Sequence, residues 1–307
     1  MIICAGEILA DMTITNAERG AEGRISAECS AGGAPFNVAC CLKKLGVSCG
    51  FCGNVGDDVI GNYLYGIASL QNFDYLYIGK DAAHNTTLAF VRLNADGERK
   101  FGFYRKNTAD AYLPVGEAEN IAKKADIIHI GSLAVSSARG RLFLDKLIDG
   151  ANKQGKKISF DVNYRDDIFR DKDAAVKLYR KYIRKADIVK FSEEEIDMFV
   201  RGEKHEDKLI KAAGQNKTIF LTLGCRGSMA CIGGKIYYAP AAKTEKIEDT
   251  NGAGDAFMAG ALALSDGEKR SPDDILAVAN ACGALAVSQK GAYPVWDKSS
   301  LLAITKN

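Results

Sequence analysis

The sequence reads as an α/β protein with a mostly parallel central sheet covered by helices on both faces. Short apolar runs alternate with longer amphipathic ones, the strand–helix–strand rhythm of parallel sheets. The 307 residues, 47% of them hydrophobic, can bury a substantial core in one large domain, 1–307. Two segments, 12–30 and 86–104, interrupt the rhythm and read as a small β lid over the main body.

Taken in order, the strand-like runs are 2–9, 126–130, 157–161, 187–190 and 218–222, and the helix-like segments are 116–124, 139–154, 172–185 and 194–214. Of the two exceptions, 12–30 is polar, with Gly20 and Gly23 and little helical period. Segment 86–104 reads as two strands joined at Asn94-Ala95-Asp96-Gly97, a hairpin signal. Ligands of such sheets bind beyond the carboxyl ends of the strands, so the loops that follow strands are where function is sought.

Composition narrows the function classes. The net charge of +2 is spread along the chain, so no basic patch announces nucleic acid. No stretch approaches the roughly 20 apolar residues that span a bilayer. The start, MIICAGEILADM, reaches Glu7 and Asp11 within a dozen residues and lacks the layout of a signal peptide. Nine cysteines, an odd number in a long chain, read as reduced thiols, and the expected location is cytoplasmic.

The strongest local signal runs from Asp249 through Asn251, Gly252, Ala253, Gly254 and Asp255 to Phe257, followed by a helix of small and apolar residues. Glycines let successive amides converge on one anion, and a helix start adds the positive end of its dipole. Asp255 would repel phosphate, yet it suits a base that accepts the proton of an attacking hydroxyl. Taken alone, the stretch reads equally well as a Gly-rich turn with an acidic helix cap. A second signal is Ala31-Gly32-Gly33-Ala34-Pro35-Phe36-Asn37, where the glycines admit a ligand to the backbone and Pro35 suits a first helical turn. Asn37 offers donor and acceptor for sugar hydroxyls, although a lone stretch of this kind is more often a plain turn-to-helix junction.

Together the two stretches resemble both signatures of the ribokinase-like carbohydrate kinases, the PfkB family, over nearly the whole chain. Gly6-Glu7-Ile8-Leu9-Ala10-Asp11, Thr222-Leu223-Gly224-Cys225-Arg226-Gly227 and Asn280-Ala281-Cys282-Gly283-Ala284 extend the likeness. The resemblance implies a three-layer sandwich with a β lid, and transfer of phosphate from ATP to a sugar. It makes Asp255 the base and the amides of Gly252, Ala253 and Gly254 the hole for the moving phosphate. It gives the sugar to Asp11, Gly32, Gly33 and Asn37, and the nucleotide to Thr222, Gly224, Gly227, Asn280 and Gly283. Glu195 would organise Mg²⁺ through water, and a monovalent cation, K⁺, sits near the residue matching Asp249 in many members. Ser192 stands where the family usually has Asn, and Asn251 where Thr is commoner.

For the acceptor, Phe103-Tyr104-Arg105-Lys106-Asn107-Thr108-Ala109-Asp110 resembles a segment of fructokinases. Asp161-Val162-Asn163-Tyr164-Arg165 resembles a loop shared by fructokinases and 2-keto-3-deoxygluconate kinases. Asn163 and Arg165 lie two apart past a strand and can face one side. Arg165 could grip a phosphate or a carboxylate, while Arg105 has a surface ion pair as its plainer reading. Fructose, phosphorylated at position 6, is the expected acceptor, with the keto acid sugar as rival. The lid's strand edges suggest a homodimer formed through it.

Other features read as structure. Cys49 and Cys52, three apart in a strand, face opposite sides and read as core cysteines. His84, His129 and His205 are scattered, which argues against a zinc site. Tyr293 and Trp296 read as packing. A nicotinamide enzyme would need G-x-G-x-x-G after the first strand, and a P-loop enzyme a lysine after its glycines; neither is present. A non-catalytic sugar sensor of the same fold would be expected to have lost Asp255 or its turn.

Overall fold

The computed structural model describes residues 1–14, 26–93, 99–169, 171–265, 270–292 and 296. Among these, nine strands form one sheet: β1 (Ile2–Ala5), β4 (Cys49–Gly56), β5 (Tyr75–Asp81), β8 (Ile127–Ile130), β9 (Lys157–Asp161), β10 (Ile188–Ser192), β11 (Thr218–Thr222), β12 (Ser228–Ile232) and β13 (Lys235–Ala239). Their order is β13-β12-β11-β10-β9-β8-β1-β4-β5. Every pair from β5 to β11 is parallel, and β12 and β13 add an antiparallel edge. A second sheet, ordered β3-β2-β6-β7, joins β2 (Leu9–Ile14), β3 (Ala27–Gly32), β6 (Leu88–Leu93) and β7 (Arg99–Tyr104).

Alternation along each strand sends successive side chains to opposite faces. Ile2, Cys4, Phe51 and Phe220 pack under α1 (Ala34–Lys44), α2 (Val59–Ser69), α8 (Ala253–Ala263) and α9 (Pro272–Val287). Ile3, Ala5, Phe160 and Leu221 pack under α3 (Ala118–Lys124), α4 (Ala138–Lys153), α5 (Lys172–Lys185), α6 (Glu193–Phe199) and α7 (His205–Ala213). The fold is thus α/β with three layers. Cys49 and Cys52 belong one to each core, and all nine cysteines are free. Buried His129 shares a 3.0 Å hydrogen bond with Ser159 Oγ, and burial pushes its ring down to about 4. Trp296 is buried in the first core. Tyr293 and the 94–97 turn lie outside the described residues.

Two expected boundaries are corrected. The run 2–9 is two strands in two sheets, β1 and β2, because the chain leaves the main sheet at Gly6-Glu7-Ile8. An unbroken buried stretch hides that departure, since burial on both sides leaves no alternation to interrupt. The run 194–214 is two helices, separated by Val200–Lys204 with Gly202 in the gap. No described helix is long and apolar enough to cross a membrane.

Candidate active site

The carboxyl ends of the central strands and the start of the second sheet border a cleft. Six residues singled out in the sequence line it: Asp11, Gly33, Asn37, Asn163, Arg165 and Asp255. Each is placed by a local device. Asp11 projects from β2 over Gly32 of β3, where a side-chain carbon would sit 2.2 Å from Asp11 Oδ2, so glycine makes room for the carboxylate. Gly33 precedes α1 with φ of 109°, and a carbon there would meet Glu7 O at 2.5 Å. Pro35 opens the helix, and Asn37 lies one turn in.

Asp255 sits in the first turn of α8, behind Gly252, whose left-handed φ of 76° starts the helix. Ala256 N donates to Gly252 O at 2.8 Å, the first helical bond, so the amides just before it have no acceptor within the helix. Asn37 Nδ2 donates to Asp255 Oδ2 at 2.8 Å and joins two helices whose sequences are 218 residues apart. Burial pushes the Asp255 carboxyl up to about 7. Asn37 draws it down, Asp161 pushes it up, and Lys190 and Arg165 draw it down. Removing the Asn37 bond should raise it further. Asn37→Ala is therefore expected to move the acidic limb of the kcat/KM profile to higher pH, read by initial rates from pH 5.5 to 9.

Asp11 is pushed up to about 6, chiefly by burial. Arg165 lowers it, Asp249 raises it, and a hydrogen bond with Asn251 lowers it. Asn251 also lines the cleft, so the residue in place of the commoner Thr reaches the same pocket as Asp11. Asn163 adopts φ of 34°, a conformation Asn tolerates better than most side chains. Its loop is tied to α6 by Glu195, which accepts from Tyr164 N and Ser192 N, both at 2.7 Å. Ser192 completes a capping box with Glu195, which explains why Ser serves at this position as well as Asn.

Arg105 does not line the cleft. Its Nε donates to Asp110 Oδ2 at 2.5 Å, Nη1 to Ser136 Oγ at 2.5 Å and Nη2 to Leu133 O at 3.1 Å. The pair is nearly sealed, at 6% and 1% exposure. Arg105 is thus not a surface ion pair; it clamps the end of β7 to the main body. Arg105→Ala leaves Asp110 buried without its cation and should destabilise the fold by about 3–5 kcal/mol. Denaturant unfolding measures this, and adding Asp110→Asn should recover part of the loss.

The residues expected on the nucleotide side form a second group. Gly224 and Gly227 have φ of 60° and 101°, and a carbon at Gly227 would meet Ala239 O at 2.1 Å. Asn280 Nδ2 donates to Ala239 O at 3.2 Å and Pro240 O at 2.9 Å, fixing the chain that Gly227 touches. Gly283 faces Ala253 O, so α9 braces the start of α8. Thr222 Oγ1 donates to Phe191 O at 3.4 Å.

The two expected metal residues each hold backbone amides. Each Glu195 oxygen already accepts an amide, and Asp249 accepts from Asn251 N at 2.7 Å and Gly291 N at 3.2 Å. Among the described residues no group of three or more His, Cys, Asp or Glu is arranged as a metal cage. Such a donor set fits Mg²⁺ carried in on nucleotide phosphates and largely ligated by them and by water.

Two buried groups escaped the sequence reading. Glu7 lines the cleft, its Oε2 has no hydrogen-bond partner, and burial pushes it up to about 8. Lys190 donates from Nζ to both Asp161 oxygens at 2.9 Å. The signal for this pair was present: a lysine interrupts the apolar run of β10, and its register partner on β9 is the aspartate.

The pfkB family carbohydrate kinase model matches residues 1–298. A probable fructokinase-5 of Arabidopsis thaliana is 36% identical over 277 residues, covering 86% of this chain and 84% of that one. Fructokinase of Xylella fastidiosa with bound ATP superposes with a TM-score of 0.85 at 27% identity, covering 99% and 98% of the two chains. A double mutant of Vibrio cholerae O395 fructokinase in fructose, ADP and potassium ion bound form gives 0.86 at 28% identity, covering 99% and 97%. Matched along nearly its whole length, this chain belongs to the pfkB family of carbohydrate kinases.

Proposed function

We propose that this sugar kinase transfers the terminal phosphate of ATP to a hydroxyl of fructose, giving fructose 6-phosphate. The observation that carries the reading is Asp255: a buried carboxylate in the first turn of α8, behind a glycine turn, facing the cleft that Asp11, Asn37 and Arg165 line. The acceptor hydroxyl gives its proton to Asp255 as its oxygen bonds to the terminal phosphorus, and the bond from phosphorus to the bridging oxygen of ADP breaks. The amides of Gly252, Ala253 and Gly254 hold the oxygens of the moving phosphoryl. Asp11, Gly33 and Asn37 orient the sugar, with Asn163 and Arg165 on the loop that Glu195 braces. The turn of Thr222, Gly224 and Gly227, with Asn280 and Gly283 on α9, forms the nucleotide side. Mg²⁺ bound to ATP supplies charge neutralisation on the phosphates.

In this reading the second sheet is a lid that closes on the cleft and excludes water, and its edges pair in a homodimer. K⁺ near Asp249 belongs to the same reading. Nine free thiols suit the reducing cytoplasm. The test is ADP release with fructose, 2-keto-3-deoxygluconate, ribose, adenosine and a sugar phosphate as acceptors. Fructose should give the highest kcat/KM. Preference for the keto acid would make Arg165 a carboxylate partner, and no turnover with any acceptor would favour a sensor.

A further inference from the structure

We infer that Lys190 is the fixed positive charge behind the anion turn, acting as a positioning residue for the phosphoryl group in transfer. The inference rests on the kinase reading above and deepens it. A side-chain carbon added at Gly254 would lie 3.2 Å from Lys190 Nζ and 3.6 Å from Cε, so the ammonium packs directly against the backbone of the turn. Lys190 is buried, with 7% of its side chain exposed, in a strand between Val189 and Phe191 of the second core. Burying a charge is costly, and a buried ion pair adds little stability over well-packed apolar side chains of the same size. Stability alone therefore gives weak reason for a lysine here.

Its surroundings supply another reason. Asp161 holds Nζ with both oxygens, and Glu195 and Asp255 also bear on it. Burial pushes the lysine down, but Asp161 and Glu195 outweigh it, so Lys190 stays charged. Without it, the three carboxylates that bear on Nζ would lose their shared counter-charge beside the start of α8. With it, the amides of the turn are backed by a cation that needs no rearrangement when negative charge develops, the condition under which preorganised charge lowers a barrier. Gly254 keeps the distance short.

Lys190→Gln alone leaves Asp161 buried without its cation and could fail to fold. The decisive variant is Lys190→Gln with Asp161→Asn, which exchanges the ion pair for a neutral hydrogen-bonded one. Wild-type turnover establishes the kinase reading beforehand; its absence would sink that reading separately. The double variant should fold, keep its KM for fructose within a few-fold of wild type, and lose about 100-fold in kcat. Its affinity for ADP with aluminium fluoride, a mimic of the moving phosphoryl, should fall far more than its affinity for ADP alone. Recovery of near-wild-type kcat in the folded double variant, or an equal loss of both affinities, would overturn the assignment and leave Lys190 a structural partner of Asp161.

Discussion

Asp255→Asn is expected to lower kcat by about 10³-fold or more, while nucleotide affinity stays near that of wild type. The substitution keeps the shape of the side chain and an oxygen that can still accept from Asn37 Nδ2, so the loss isolates the missing base. With Asp255 held at about 7, wild-type kcat/KM should rise with pH through that value, and the variant's residual rate should lack this limb. The same variant should be more stable than wild type at pH 8. An acid whose pKa is raised by folding supports the fold while protonated. For Asp255 that support is present below the unfolded value near 3.8 and is lost as pH climbs through about 7. The cost to the native enzyme is roughly 4 kcal/mol, and asparagine escapes it. Thermal melts at pH 5 and pH 8 test the sign. A folded variant turning over near the wild-type rate would remove Asp255 from the base role.

Gly252→Ala should be nearly as damaging, for a different reason. The added carbon would lie 1.8 Å from Ala292 O at a backbone φ of 76°. Neither a rotamer change nor a small shift resolves a contact with backbone, so the turn itself must move. Displacing amides aimed at the phosphoryl should reduce kcat by about 10²–10³-fold, with KM for fructose little changed because Asp11 and Asn37 stand on other elements. Gly46→Ala is the control. Its φ of 76° is equally left-handed, but it is exposed after α1 and a carbon there meets nothing within 4 Å, so only backbone strain of about 1 kcal/mol is expected. Comparable losses in both variants would argue against an anion-holding role for the 252–254 turn.

Much of this architecture is legible in one dimension. A glycine turn followed by a helix of small residues is a local arrangement, and so is a strand that ends in an Asp-x-Asn-x-Arg loop. The main-sheet strands between 126 and 222 fall close to where the apolar runs put them. The reading failed where neighbours in space decide the outcome. The run 2–9 is uniformly buried yet crosses from one sheet to another, and no periodicity marks the crossing. Arg105 reads as a plain surface charge until Asp110, Ser136 and Leu133 O are seen around its guanidinium.

The sequence by itself determined the order of the chemical parts: a carboxylate behind paired glycines near residue 255, a second glycine turn that opens a helix near residue 33, and strands to hold them. These follow from backbone freedom, side-chain chemistry and spacing, which are properties of neighbours along the chain. Only the tertiary structure decided that Asn37 would bond Asp255, that Lys190 would lie beneath Gly254, and that Asp11, Glu7 and Asp255 would hold their protons more tightly than in water. Proton affinity depends on how much water is excluded and on charges a few ångströms away, and both arise when elements distant in sequence are packed together.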